Sequence, residues 1–128
     1  MGLRQDRKVA AWHPFLLVGA VLAVAAIALQ AGGAGVRETL AYQRAGVEAG
    51  QLWRLLSGHL VHLGWSHLAY NLAGLALIGW LVGRAFDALR WACIVAASIL
   101  VIDIGFWMLN PALEWYVGMS GVLHGVLA

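Results

Sequence analysis

Apolar stretches alternate with short polar segments along the chain, and their lengths predict membrane-spanning helices. They cover about residues 9–29, 60–82, 91–109 and 119–128. A transmembrane helix needs about 20 predominantly apolar residues to cross about 30 Å of hydrocarbon. The first three stretches are about that long, and the fourth begins a further helix. We therefore predict an all-α fold, a polytopic helical membrane bundle with three full spans and the start of a fourth.

A mixed segment, residues 36–56, separates the first two apolar stretches. Its charged side chains alternate with apolar ones, as in Arg44, Val47, Glu48 and Trp53. Such a mixture is typical of an element that lies along the membrane surface. We expect this segment to be an interfacial loop within one partial membrane domain of residues 1–128.

The composition supports a membrane protein and excludes a water-soluble domain. Hydrophobic residues make up 62% of the chain and charged residues only 11%, and the mean hydropathy is +0.81. A surface that faces water requires more charge than this. The net charge of +2 is spread over chain ends and loops, so we expect a lipid bilayer as the surroundings and no nucleic-acid partner.

Basic residues predict the orientation in the membrane. Five basic residues lie in the N-terminal tail and in the turn after the second stretch: Arg4, Arg7, Lys8, Arg84 and Arg90. Three lie in the segment between the first two stretches: Arg37, Arg44 and Arg54. The positive-inside rule places the first group in the cytoplasm, and with it the N-terminus. A cleavable signal peptide is the alternative interpretation of the first stretch, which is long for a signal core of about 7–15 residues.

Gly118-Met119-Ser120-Gly121 opens the fourth apolar stretch and allows two interpretations. Gly121 and Gly125 are four residues apart, a pattern of closely packed membrane helices, and taken alone the motif favours packing. The functional interpretation makes Ser120 a nucleophile. Backbone amides at the helix N-terminus would then stabilise an oxyanion.

Polar residues at membrane depth are functional candidates by default. His67 and Asn71 lie on one helix face, where they either bond to each other or point at a negative charge developing beside Ser120. His59, His62 and His67 match no strong metal-binding signature, so we expect no metal and no cofactor. We assign no function to Asp103. His124 lacks a visible orienting group and is interpreted as a packed polar residue.

Taken in order, Trp53-Arg54, His67-x-x-x-Asn71 and Gly118-x-Ser120-Gly121 resemble the rhomboid intramembrane serine proteases. The resemblance covers about residues 50–128. The segments HLVHLGWSHLAYNLAGL and GMSGVLHG are most similar to the rhombosortase branch. Rhombosortases process proteins that bear a C-terminal membrane anchor containing Gly-Gly.

The resemblance implies an intramembrane serine endopeptidase. Ser120 would be the nucleophile, and His67 and Asn71 would form the oxyanion hole with the Ser120 amide. Trp53-Arg54 would belong to the loop that lies on the membrane. The partners implied are transmembrane protein substrates, cleaved near the outer face of a bacterial inner membrane.

The chain also departs from the rhomboid pattern, because rhomboids take the histidine of their Ser-His dyad from a later helix. No such helix occurs within the 128 residues, which stop in apolar sequence soon after Ser120. A helix that ends at mid-bilayer leaves carbonyls unpaired. We therefore expect a fragment that does not cleave by itself. The alternative is a catalytically inert rhomboid-like protein that binds membrane proteins.

Overall fold

The computed structural model describes residues 13–128, which fold into helices joined by one short antiparallel sheet. The basic residues Arg4, Arg7 and Lys8 and the start of the first predicted span lie outside the described residues. In chain order the elements are α1 (His13–Ala31), α2 (Gly33–Leu40), β1 (Tyr42–Gln43), α3 (Arg44–Glu48), α4 (Trp53–Ser57), α5 (Trp65–Val82), α6 (Ala88–Met108), β2 (Trp115–Tyr116) and α7 (Ser120–Leu127).

Three of the described helices, α1, α5 and α6, are long and apolar enough to cross a membrane. The prediction of an all-α membrane bundle is therefore confirmed. Large apolar side chains on these helices face outwards, among them Val24, Leu77 and Val101. Outward apolar surface is what a lipid environment allows, since lipid tails are as apolar as leucine.

The helix boundaries differ from the sequence prediction at two starts. Helix α5 begins at Trp65 instead of near residue 60, because residues 58–64 form turns and extended backbone that bury His59 and His62. Helix α6 begins at Ala88, three residues before the predicted start. Asp87 caps it, its carboxylate accepting a hydrogen bond of 2.8 Å from the Arg90 amide, a favoured way to begin a helix.

One end of the bundle is closed by aromatic packing. The Phe15 ring lies against Gly79, and the Phe15 Cβ lies beside Gly83 at the end of α5. The ring centroid is 5.1 Å from that of Trp91 in an edge-on arrangement. The start of α1, the end of α5 and the start of α6 therefore share one end. Ser120 and the segment between α1 and α5 lie towards the other.

Small residues bring α7 against α6. A Cβ built on Gly125 would lie 2.7 Å from Ser98 Oγ, and one on Gly121 would lie 3.1 Å from Ile102 Cδ1. The packing interpretation of Gly121-x-x-x-Gly125 therefore describes a real contact. This contact is made by Gly121 and Gly125, so it does not exclude a functional role for Ser120, the residue before Gly121.

The segment of residues 36–56 folds into the end of α2, strand β1 and helices α3 and α4. Buried Arg54 holds it together, donating to Gln51 Oε1 at 2.6 Å and to the carbonyls of Glu38 and Ala41 at 3.0 and 2.7 Å. Strand β1 pairs with β2, so that Tyr42 lies opposite Tyr116. The pairing ties this segment to the chain that leads into Ser120.

Replacing Arg54 by leucine is expected to lower the free energy of unfolding by about 3 kcal/mol, because hydrogen bonds from a charged donor contribute about 1.5–3 kcal/mol each. Unfolding by titration with sodium dodecyl sulfate measures the change. Arg90→Leu is the matched control: its exposed pair with Asp87 is worth at most about 1 kcal/mol. Equal losses in the two variants would show that Arg54 does not organise the segment.

Candidate active site

Ser120 is the first residue of α7 and follows a turn that only glycine adopts easily. Gly118 has a φ of +111°, in the left-handed region where side chains with a Cβ are strained. The turn redirects the chain from β2 into the helix. The first amides of a helix have no partner within it, so the residues around Ser120 present free N–H groups and a partial positive charge.

Ser120 lies below the end of the bundle. Its neighbour Gly121 packs against Ile102, six residues before Met108 at the end of α6. With a rise of about 1.5 Å per residue, this places Ser120 about 9 Å below the end of α6. Ser120 therefore lies level with the candidate membrane-spanning part of α6 and not beyond its end.

An open cleft of about 330 Å³ lies between α5 and α7 and brings the three predicted site residues together. Ser120, His67 and Asn71 all line it. His124, Gly74 and apolar side chains of the two helices complete the wall. A serine and two polar side chains thus line one space that is open on the side of the bundle.

The His67 ring is held in a defined orientation. Its Nδ1 accepts a hydrogen bond of 3.3 Å from the Leu63 amide, so the neutral ring carries its proton on Nε2. The ring lies on the Gly118 turn, because a Cβ built on Gly118 would be 2.7 Å from His67 Cε1 and 3.1 Å from Nε2. His67 therefore offers an N–H donor beside the residues that precede Ser120.

Asn71 bonds to the backbone of His67 and not to its ring. Its Nδ2 donates to the His67 carbonyl at 2.9 Å. That uses one of the two amide hydrogens, and the other remains able to donate. The side chain is buried, and its Oδ1 has no partner among the residues that the structure describes. The possibility that the two side chains satisfy each other is therefore not realised.

His62 is a neighbour of the site that the sequence analysis did not place there. Its ring centroid is 5.1 Å from that of His67, and its Nδ1 donates to the Leu60 carbonyl at 3.1 Å. The pKa of His62 is lowered to about 4, first by burial and also by repulsion from the His67 ring when that ring is protonated. At neutral pH His62 is uncharged and adds no positive charge beside His67.

His124 is engaged with the backbone of its own helix. Its Nδ1 donates to the Ser120 carbonyl at 2.7 Å, one turn earlier. Within residues 13–128, the Ser120 hydroxyl forms no hydrogen bond with a histidine nitrogen. This part of the chain therefore places a serine hydroxyl and two polar side chains together, without a histidine nitrogen in contact with the hydroxyl.

The structure also pairs two residues that the sequence analysis left apart. Asp103 Oδ1 lies 3.1 Å from His59 Nε2. The two residues are 44 positions apart, so no local spacing could reveal the pair. The only signal was general: an acidic residue inside a span needs a partner.

Comparison with known proteins gives matches to rhomboid proteins. The Rhomboid domain model matches residues 49–128. The chain is 30% identical over 90 residues to the putative rhomboid protease YdcA of Bacillus subtilis, covering 70% of the chain and 45% of that protein. It is 31% identical over 78 residues to the rhomboid protease GlpG of Haemophilus influenzae, covering 60% and 39%.

The chain spans less than half the length of these curated relatives. A third, the rhomboid protease GluP of Bacillus subtilis, is 31% identical over 100 residues, which are 75% of the chain and 19% of that protein. No solved structure matches the chain. The family model nevertheless covers more than half of the sequence, including Ser120, His67 and Asn71. This chain belongs to the rhomboid family.

Proposed function

We propose that this chain carries the nucleophile and the oxyanion-stabilising groups of an intramembrane serine endopeptidase. One observation carries the proposal: Ser120, His67 and Asn71 line a single cleft, below the end of the bundle. Cleavage of a peptide bond by serine requires an activated hydroxyl and donors aimed at the oxygen that becomes charged. The cleft holds candidates for both.

In the proposed reaction, Ser120 Oγ attacks the substrate carbonyl, and the carbonyl oxygen becomes an oxyanion. His67 carries its proton on Nε2, because Nδ1 accepts from the Leu63 amide, so the ring needs no change of tautomer to donate. Asn71 is held by its bond to the His67 carbonyl and donates its second amide hydrogen. The Ser120 amide, at the positive end of α7, supplies a third donor.

We propose that the general base is a histidine on a later helix, outside the 128 residues, and that this polypeptide is a fragment of the protease. Among the described residues His124 makes no hydrogen bond to the Ser120 hydroxyl, and its Nδ1 instead donates to the Ser120 carbonyl on the same helix. A base on a neighbouring helix approaches the hydroxyl directly. The open side of the cleft between α5 and α7 is the place where such a helix would pack.

We propose that cleavage takes place near the outer face of a bacterial inner membrane, with the N-terminus in the cytoplasm. The start of α1 and the turn with Arg84 and Arg90 share one end of the bundle, since Phe15 contacts both Gly83 and Trp91. Arg84 and Arg90 lie at that end, and the sequence adds Arg4, Arg7 and Lys8 ahead of α1, so the positive-inside rule makes it the cytoplasmic end. Ser120 then faces the outer leaflet.

The proposed substrates are membrane-anchored proteins, and specifically those with a C-terminal anchor that contains Gly-Gly. The support for this class is the similarity of residues 59–75 and 118–125 to rhombosortases. A substrate with and without its Gly-Gly pair distinguishes this class from rhomboid substrates in general.

A fluorophosphonate probe tests the proposal, because it labels only a serine that a base activates. We expect no labelling of the 128-residue chain and strong labelling once the later helices are restored. We also expect labelling of the restored protein to survive the change His124→Ala. The measurement is the rate of covalent labelling in detergent, with Ser120→Ala as the blank.

Two results would contradict the proposal. Labelling of the 128-residue chain that disappears in His124→Ala would make His124 the general base. Absence of labelling in a folded protein that contains all helices encoded by the gene would favour the catalytically inert, membrane-protein-binding alternative.

A further inference from the structure

A buried acid–imidazole pair connects α6 to the segment that precedes α5. His59 is 2% exposed and the side chain of Asp103 is 12% exposed, and His59 Nε2 lies 3.1 Å from Asp103 Oδ1. A carboxylate is costly to bury unless it is paired. Asp103 lies on α6, five residues before its end. The pair therefore links His59 to one of the long helices of the bundle.

The neighbours of His59 hold both ends of Gly118. The Gly58 carbonyl, directly before His59, accepts a hydrogen bond of 2.9 Å from the Gly118 amide. The His59 ring packs against the Tyr116 ring with centroids 5.4 Å apart. The Tyr116 hydroxyl donates to the Gly118 carbonyl at 2.8 Å. A displacement of His59 would therefore shift the hydrogen-bond partners of both the amide and the carbonyl of Gly118.

Gly118 in turn sets the position of two groups of the site. It lies two residues before Ser120, and the His67 ring rests on it. The Tyr116 hydroxyl also lies close to the first turn of α7, 3.2 Å from a Cβ built on Gly121. Since catalytic groups displaced by about 1 Å can lose about 100-fold in rate, the placement of this turn matters for catalysis.

We propose that Asp103 and His59 are positioning residues that hold the Gly118 turn, and through it the Ser120 amide and the His67 donor, in the geometry that stabilises the oxyanion. The inference rests on the proposed function. Neither residue touches the reacting atoms. They act through Gly58 and Tyr116 on the turn.

The change His59→Phe tests the pair, because it keeps a ring against Tyr116 and removes the Nε2 donor. In the protein with all helices that its gene encodes, we expect kcat to fall about tenfold with KM unchanged, since the loss concerns the transition state. Asp103→Leu should act alike, and the double variant should be no slower than the slower single variant. Asp103→Asn keeps an oxygen acceptor for His59 and should retain most of the rate.

Hydrogen exchange of the Gly118 amide gives a second readout that needs no activity. This amide donates to Gly58, so we expect it to exchange at least about tenfold faster in His59→Phe and to return towards the wild-type rate in Asp103→Asn. The control is Phe15→Leu, which loosens the opposite end of the bundle. It should lower the melting temperature without changing exchange at Gly118.

The two readouts separate this inference from the proposed function. If the wild-type protein neither cleaves nor reacts with a fluorophosphonate, the proposed function fails, while exchange at Gly118 still tests the positioning. Unchanged exchange at Gly118 in His59→Phe and Asp103→Leu would overturn the inference. So would a kcat that falls only in proportion to the folded fraction, as it would for a purely structural pair.

Discussion

Replacing Ser120 by alanine is expected to abolish cleavage of a membrane-anchored substrate while expression and membrane insertion stay unchanged. The hydroxyl is the proposed nucleophile, and loss of the nucleophile costs on the order of 10⁶ in rate in well-studied serine proteases. The change removes one atom at the wall of an open cleft. We therefore expect little effect on packing.

Turnover in proteoliposomes measures this effect, with a substrate whose anchor carries Gly-Gly and a second one that lacks it. Ser98→Ala is the matched control. It removes a hydroxyl from the contact between α6 and α7, outside the cleft, where Ser98 donates to the Ile94 carbonyl of its own helix. Equal turnover by Ser120→Ala and the wild-type protein would refute the assignment of Ser120 as nucleophile.

Replacing His67 by alanine is expected to lower kcat by about 10²–10³, the usual cost of one lost oxyanion donor. KM should change little, because a donor aimed at a developing charge acts mainly in the transition state. Asn71→Ala should behave in the same way. The effect of Asn71→Ala includes a less firmly held His67, since the Asn71 side-chain amide bonds to the His67 carbonyl.

Steady-state kinetics in proteoliposomes separate kcat from KM for these variants. His124→Ala is the matched control, because His124 lines the same cleft and donates only to a backbone carbonyl. A rise in KM at constant kcat would assign His67 to substrate binding. If His67→Ala and Asn71→Ala do not fold in detergent, the two residues are structural.

The membrane helices could be predicted from the sequence, because the signal is local. Apolar runs such as residues 91–109 need only length and composition to indicate a span. The boundaries depended on details that composition does not show. Helix α6 starts three residues before its predicted start, because Asp87 accepts a hydrogen bond from the Arg90 amide. Helix α5 starts only at Trp65, because the residues before it form the turns that bury His59 and His62.

The candidate site residues could likewise be selected from the sequence, because polar groups at membrane depth are rare and stand out. Ser120 between glycines and the spacing of His67 and Asn71 on one helix face are local features. Their common cleft is not local, since it requires α5 and α7 to pack side by side. The roles of the two nitrogens of His67 followed only from its contact with the Leu63 amide.

By itself, the sequence determined that the chain is a membrane protein, which stretches can span, and which polar residues are candidates, because hydropathy and helical periodicity depend on residues close in the chain. Only the tertiary structure decided that His59 pairs with Asp103 and that the Gly118 amide donates to the Gly58 carbonyl. Contacts between residues far apart in the chain depend on how helices dock. Docking depends on the shapes of whole faces, which no local pattern contains.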